Sequence, residues 1–160
     1  MLFGSHFRHD VHPPRGARIG SQFGYDGQFF YLQATDPLVF NDATVRAFRA
    51  ANEVFRMQRM AYPTLAYLAA AGQRSAIPWS MLAVNVLVVL LATGGFAIYA
   101  RQRGWSGYWG LCVGLLAGFL AGTVRDLSDP LAVATMLAGL LAWQRGRRWA
   151  AAAAMRAVRQ

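Results

Sequence analysis

The octapeptide Gly24-Tyr25-Asp26-Gly27-Gln28-Phe29-Phe30-Tyr31 places one carboxylate between two glycines, with aromatic rings on both sides. A positioned carboxylate can take a proton from a hydroxyl, and flanking rings offer apolar faces. The chemistry this suggests is proton transfer on an amphiphilic substrate. Tyr-Asp-Gly is also a turn composition, because Asp tolerates the left-handed region and Gly takes positive φ. A second charged group, Arg125-Asp126, falls between two apolar runs. An ionisable pair at a bilayer edge is costly, which makes it a candidate for substrate contact.

The elements that must position these groups are mostly apolar. Of the 160 residues 56% are hydrophobic and only 14% charged, both at the edge of the range for soluble domains. The length suits one domain. The apolar residues concentrate after Ile77, while most acids lie before it. The composition therefore describes a membrane protein with a polar N-terminal half.

The net charge of +9 comes wholly from arginine, for the chain has no lysine. The arginines are scattered, and several flank apolar runs, a pattern that orients membrane proteins and argues against a nucleic-acid partner. Cys112 is alone, so neither a disulfide framework nor a cysteine metal site follows. His6, His9 and His12 recur every third residue but lack an acidic or cysteine partner set, and they read as solvated. No cofactor is demanded. Asp26 with Asp126 would offer oxygen ligands to a divalent cation, although no spacing requires one.

Three segments follow from the patterning. Residues 1–41 carry turn chemistry (Pro13-Pro14, Gly16, Gly20, Gly24, Gly27, Asp36-Pro37). Within them, residues 28–34 are compatible with a short strand or a helix. Residues 42–76 form an amphipathic, interfacial segment. Asn41-Asp42 is a helix start, Val45, Phe48 and Phe55 share one side, and Arg46, Arg49, Glu53 and Arg56 share another. Pro63 interrupts this pattern, and 64–71 reads as a short helix ending at Gly72.

Residues 77–160 read as transmembrane helices. The clearest, 78–99, reaches about 33 Å at 1.5 Å per residue. A second is expected over 105–124, opened by Trp105, Tyr108 and Trp109. A third, shorter one covers 130–144, and another starts at 149–158. Gly110, Gly114, Gly118 and Gly122 form a stripe suited to close helix packing. Asn85 suits an interhelical hydrogen bond. Ser128 or Asp129 can cap a helix begun by Pro130.

Arg101/Arg103 and Arg145–Arg148 lie at alternate turns, so both are expected on the cytoplasmic side, with everything before Ile77 external. A long external N-terminal segment needs a signal or a preceding helix. The first residues, Met1 to Arg8, show no apolar signal core, so the expectation is a piece of a larger bundle, with helices missing at both ends.

Three stretches occur in order: the octapeptide followed by Asp36-Pro37, then Gln58-Arg59-Met60-Ala61-Tyr62-Pro63, then Arg125-Asp126-Leu127-Ser128-Asp129-Pro130. Together they resemble the N-terminal part of bacterial polytopic GT-C-like glycosyltransferases, the polyprenyl- or dolichyl-phosphate-sugar mannosyltransferase-like group. The resemblance runs from about Gly20 onward. Phe30 stands where a second tyrosine is expected, and Ser128-Asp129 where Thr-Glu is more usual.

The resemblance implies an all-α multi-pass bundle in a bacterial inner membrane, whose long first external loop carries helices lying on the bilayer. It implies a lipid-linked sugar donor, with Asp26 as the catalytic base on an acceptor hydroxyl. Arg59 and Arg125 are then expected at the departing lipid phosphate, since guanidinium suits bidentate phosphate contact. Tyr25, Gln28, Tyr31 and Asp126 complete the expected substrate contacts. The rival expectations are a non-catalytic transport or assembly subunit, and an inactive truncated product.

Overall fold

The computed structural model describes residues 2–4, 18–20, 26–50, 59–125 and 127–159. They hold eight helices and one pair of two-residue strands. β1 (Leu2–Phe3) and β2 (Arg18–Ile19) run parallel, with Leu2 opposite Arg18 and Phe3 opposite Ile19. The chain divides into two compact units, residues 1–84 with 125–127, and residues 85–124 with 128–160.

The first unit is built around aromatic residues. α1 (Gly27–Thr35) is buried from Gly27 through Ala34, on every side of the helix. This settles the choice between strand and helix that the sequence leaves open. It also places a helix inside the segment expected to be loop. Asp36 then folds the chain back, its two carboxylate oxygens accepting from Phe40 N–H (3.1 Å) and Asn41 N–H (2.9 Å). Val39 in this turn has φ 53°, an uncommon conformation for a β-branched residue. The Asp36 carboxylate braces the backbone that must adopt it.

α2 (Asp42–Ala50) starts where Asn41-Asp42 suggested, with Asn41 Oδ1 accepting from Ala43 N–H at 2.9 Å. Its Ala47 and Phe48 are buried while Arg46 and Arg49 are exposed. Phe55, Glu53 and Arg56 of the expected amphipathic pattern lie outside the described residues. α3 (Ala61–Ala69) contains Pro63 rather than being interrupted by it. Pro63 falls in the first turn, where a missing N–H costs no intrahelical bond.

The packing contacts are specific. The Phe29 and Phe48 rings lie 5.4 Å apart, and Phe30 meets Tyr62 edge-on at 5.5 Å. The Tyr62 hydroxyl donates to Met81 O at 3.2 Å. Ser80 Oγ sits 2.7 Å from Ala66 O and 2.8 Å from Ile77 O. These bonds tie α3 to the start of α4 (Ile77–Gln102).

α4 has 26 residues and a mean hydropathy of 2.3 over its apolar window, of which 22% is buried. At 1.5 Å per residue it is about 39 Å long, enough by length and composition to cross a membrane. It is the one such helix among the described residues. Just past its end stands Gly104, whose φ of 76° permits a closing turn in which Trp105 N–H donates to Ala100 O and Gly104 N–H to Arg101 O.

In the second unit the segment expected as one helix over 105–124 is instead two, α5 (Trp109–Gly114) and α6 (Ala117–Val124). The join is a tightened turn, with Leu116 N–H donating to Val113 O. Glycine at every fourth position leaves this stretch with weak intrinsic helix tendency, and a turn without a compensating side chain opens most readily. The stripe nonetheless permits close approach. A Cβ at Gly110 would stand 2.6 Å from Thr93 O of α4, and one at Gly122 would stand 2.8 Å from the Pro130 ring. At Gly118 nothing lies within 4 Å.

α7 (Asp129–Gln144) carries Pro130 in its first turn, as expected; Ser128 holds the cap position but makes no side-chain capping bond. Gly146, at φ 73°, closes it as Gly104 closes α4: Arg147 N–H donates to Ala142 O and Gly146 N–H to Trp143 O. α8 (Arg148–Arg159) then folds back along α7, with Gly139 facing Ala151, Ala154 and Met155.

Candidate functional site

Asp26 immediately precedes α1, with φ −53° and ψ −34°. This is right-handed helical backbone, so it is not the left-handed turn residue that Tyr-Asp-Gly allows. Its carbonyl accepts from Phe29 N–H (3.0 Å) and Phe30 N–H (3.4 Å), opening the helix, and its side chain makes no capping bond. Asp26 is half-buried. The carboxylate thus belongs to the residue at the N-terminal end of α1.

The buried helix behind Asp26 fixes its position. Gln28 is fully buried, and its Oε1 accepts from Gly4 N–H at 2.8 Å, which ties the end of β1 to the first turn of α1. Tyr31 is 5% exposed. Burial raises the Tyr31 phenol above its usual range, and the nearby positive charge of Arg74 partly offsets that. Both side chains are buried, and Gln28 holds the Gly4 backbone.

Arg59 and Arg125 are exposed. Arg125 is distant from Asp26 in sequence, yet residues 125–127 belong to the same compact unit as Asp26, Gln28, Tyr31 and Arg59. One unit therefore gathers the described members of the first two stretches that carry the resemblance with Arg125 and Leu127 of the third, whose Ser128, Asp129 and Pro130 fall in the other unit. Tyr25 and Asp126, and with them the possible Asp26–Asp126 cation site, lie outside the described residues, as do His6, His9 and His12. Among the described residues no group of three or more His, Cys, Asp or Glu is placed to hold a metal ion.

No protein-family model, curated protein or solved structure matches the chain. Function must therefore be argued from the side chains themselves.

Sequence reasoning missed two residues that shape the site. Asp36 enters the sequence reading with Pro37 as turn chemistry and as part of the first stretch, without a role for its side chain, whereas its carboxylate holds the turn from α1 into α2; Asp-Pro ahead of a helix start is a signal that could have found it. Arg74, which faces Tyr31 electrostatically, has no motif around it and becomes visible only through the fold.

Proposed function

We propose that this chain is the N-terminal part of a multi-pass membrane glycosyltransferase that moves a sugar from a polyprenyl-phosphate donor to an acceptor hydroxyl on the external face. The observation that carries the reading is the composition of the first unit. It presents a carboxylate at a helix start, exposed arginines that include Arg59 and Arg125, and the opening turns of the long apolar helix α4.

In this mechanism Asp26 accepts the proton of the acceptor hydroxyl as that oxygen attacks the sugar's anomeric carbon. The new C–O bond forms as the bond to the lipid phosphate breaks, and the configuration inverts. Arg59 and Arg125 hold the departing phosphate, whose charge grows as the bond breaks. Tyr25 and Asp126 complete the contacts to donor and acceptor, while Gln28 and Tyr31 act as positioning residues through α1.

α4 and α7 cross the bilayer in this reading, and α5 with α6 return between them. Arg101/Arg103 and Arg145–Arg148 lie on the cytoplasmic side, with residues before Ile77 external. The hydrogen bond from Arg145 Nη2 to Gln102 Oε1 (3.2 Å) supports a shared side for the two arginine groups.

Asp26→Asn in the full-length protein tests the base. With a purified polyprenyl-phosphate sugar, transfer should fall by about 10²-fold or more, in line with loss of a general base. Transfer at the original rate would falsify the assignment. A second reading is a binding subunit that shares the loop but not the chemistry. Transfer by the purified, unsubstituted protein excludes it.

A further inference from the structure

The second unit contains an open apolar groove of about 310 Å³ between α4 and α7, lined among others by Val88, Ala92, Gly95, Ala134, Ala138 and Leu141. Its volume lies at the lower end of ligand sites, about 300–1,000 Å³. Along α7 it runs from Leu131 to Leu141, about 15 Å at 1.5 Å per residue. The one hydroxyl in its wall, that of Thr135, donates to Leu131 O at 2.7 Å. The groove therefore makes no polar demand on an occupant.

One end of this groove is strongly basic. Gly95 and Leu141 face each other there, with 4.0 Å between a Cβ built on the glycine and Leu141 Cδ1. One turn past Leu141 on the same face of α7 is Arg145, which is hydrogen-bonded to Gln102 at the end of α4. Arg101 and Arg103 close α4, and Arg147 and Arg148 follow Arg145, all exposed. The second unit has one acid, Asp129, and it opens α7 at the opposite end of that helix. The basic end therefore has no carboxylate of its own unit to neutralise it.

We propose that this groove is a binding site for an anionic phospholipid, one acyl chain lying between α4 and α7 and the headgroup phosphate held by Arg101, Arg145 and Arg148. The charge selects the occupant. A zwitterionic lipid would fill the groove equally well but leave the arginines unbalanced, whereas a net negative headgroup satisfies both. The site rests on the reading of α4 as a membrane span and is independent of glycosyl transfer.

The test uses the whole chain, reconstituted in vesicles of equal phosphatidylglycerol and phosphatidylcholine with identical acyl chains. It is then extracted in mild detergent and weighed intact by native mass spectrometry. Phosphatidylglycerol should be retained in preference to phosphatidylcholine. The triple variant Arg101→Gln, Arg145→Gln, Arg148→Gln should lose that preference by about tenfold or more. Ala138→Phe, which fills the groove without touching charge, should reduce retention of both lipids at unchanged helical circular dichroism.

Should the triple variant fail to fold, Arg148→Gln alone, on an exposed side chain, should weaken the preference severalfold. Equal retention of the two lipids overturns the proposal. So does release of phosphatidylglycerol by millimolar inorganic phosphate, or full retention by Ala138→Phe. A chain that does not float with the vesicles removes the membrane reading as well. One that floats without lipid preference removes this site alone.

Discussion

At the scale of single residues, a side chain of the first turn after Asp26 holds backbone in place. Gln28 is buried and its oxygen serves Gly4 N–H. Gln28→Leu keeps the size but leaves that N–H without its acceptor, at a cost of about 1–3 kcal/mol. Thermal unfolding in detergent should show a corresponding fall in midpoint, and an unchanged midpoint would mean that the contact to β1 carries no stability. Tyr31 gives a pH signature. Its folded pKa is raised, burial outweighing the opposing effect of Arg74, so folding favours the protonated phenol. That contribution is complete below the unfolded value near 10. It is lost as pH rises through the higher folded value. Unfolding midpoints measured from pH 8 upward should decline above about pH 10, and Tyr31→Phe should lessen the decline.

At the scale of elements, what could be read from sequence depended on whether a helix has two unlike faces. α2 does: Phe48 is buried and Arg46 and Arg49 are exposed, so its start and its buried side were legible. α1 does not. It is buried all round, its residues carry no period, and strand and helix looked alike until the packing was known. The glycine stripe was legible as a packing device, but its partners were not. Gly110 lies against Thr93 and Ala97 of α4, Gly122 against Pro130, and Gly118 against nothing within 4 Å. Gly110→Leu should therefore destabilise by about 1–3 kcal/mol through overpacking against backbone. Gly118→Ala should be neutral or stabilising by up to about 1 kcal/mol, the helix-propensity gain. Comparison of the two variants by thermal unfolding decides it, and equal losses at both positions would contradict the packing described.

At the scale of the whole molecule, membrane placement makes a prediction through the lone thiol. Cys112 on α5 is exposed and is the single cysteine of the sequence. If α5 lies in the bilayer, Cys112 in intact membranes should resist a charged, impermeant maleimide and react once detergent is added. Rapid labelling before detergent would place α5 in water and end the multi-pass reading. If α4 spans the bilayer, as its length and hydropathy allow, the chain should also stay with the membrane pellet after alkaline carbonate extraction.

The sequence by itself determined that a long apolar helix follows Ile77, that arginine dominates the charge, and that Asp26 sits among aromatic residues. Composition, hydropathy and residue type are local properties, which no later folding step can change. Only the tertiary structure decided that Gln28 and Tyr31 turn into the core, that 105–124 breaks into two helices, and that residues 125–127 join the unit holding Asp26. Each of these depends on which distant segment covers a given face. Burial is a property of neighbours, and the identity of those neighbours is fixed by packing rather than by position along the chain.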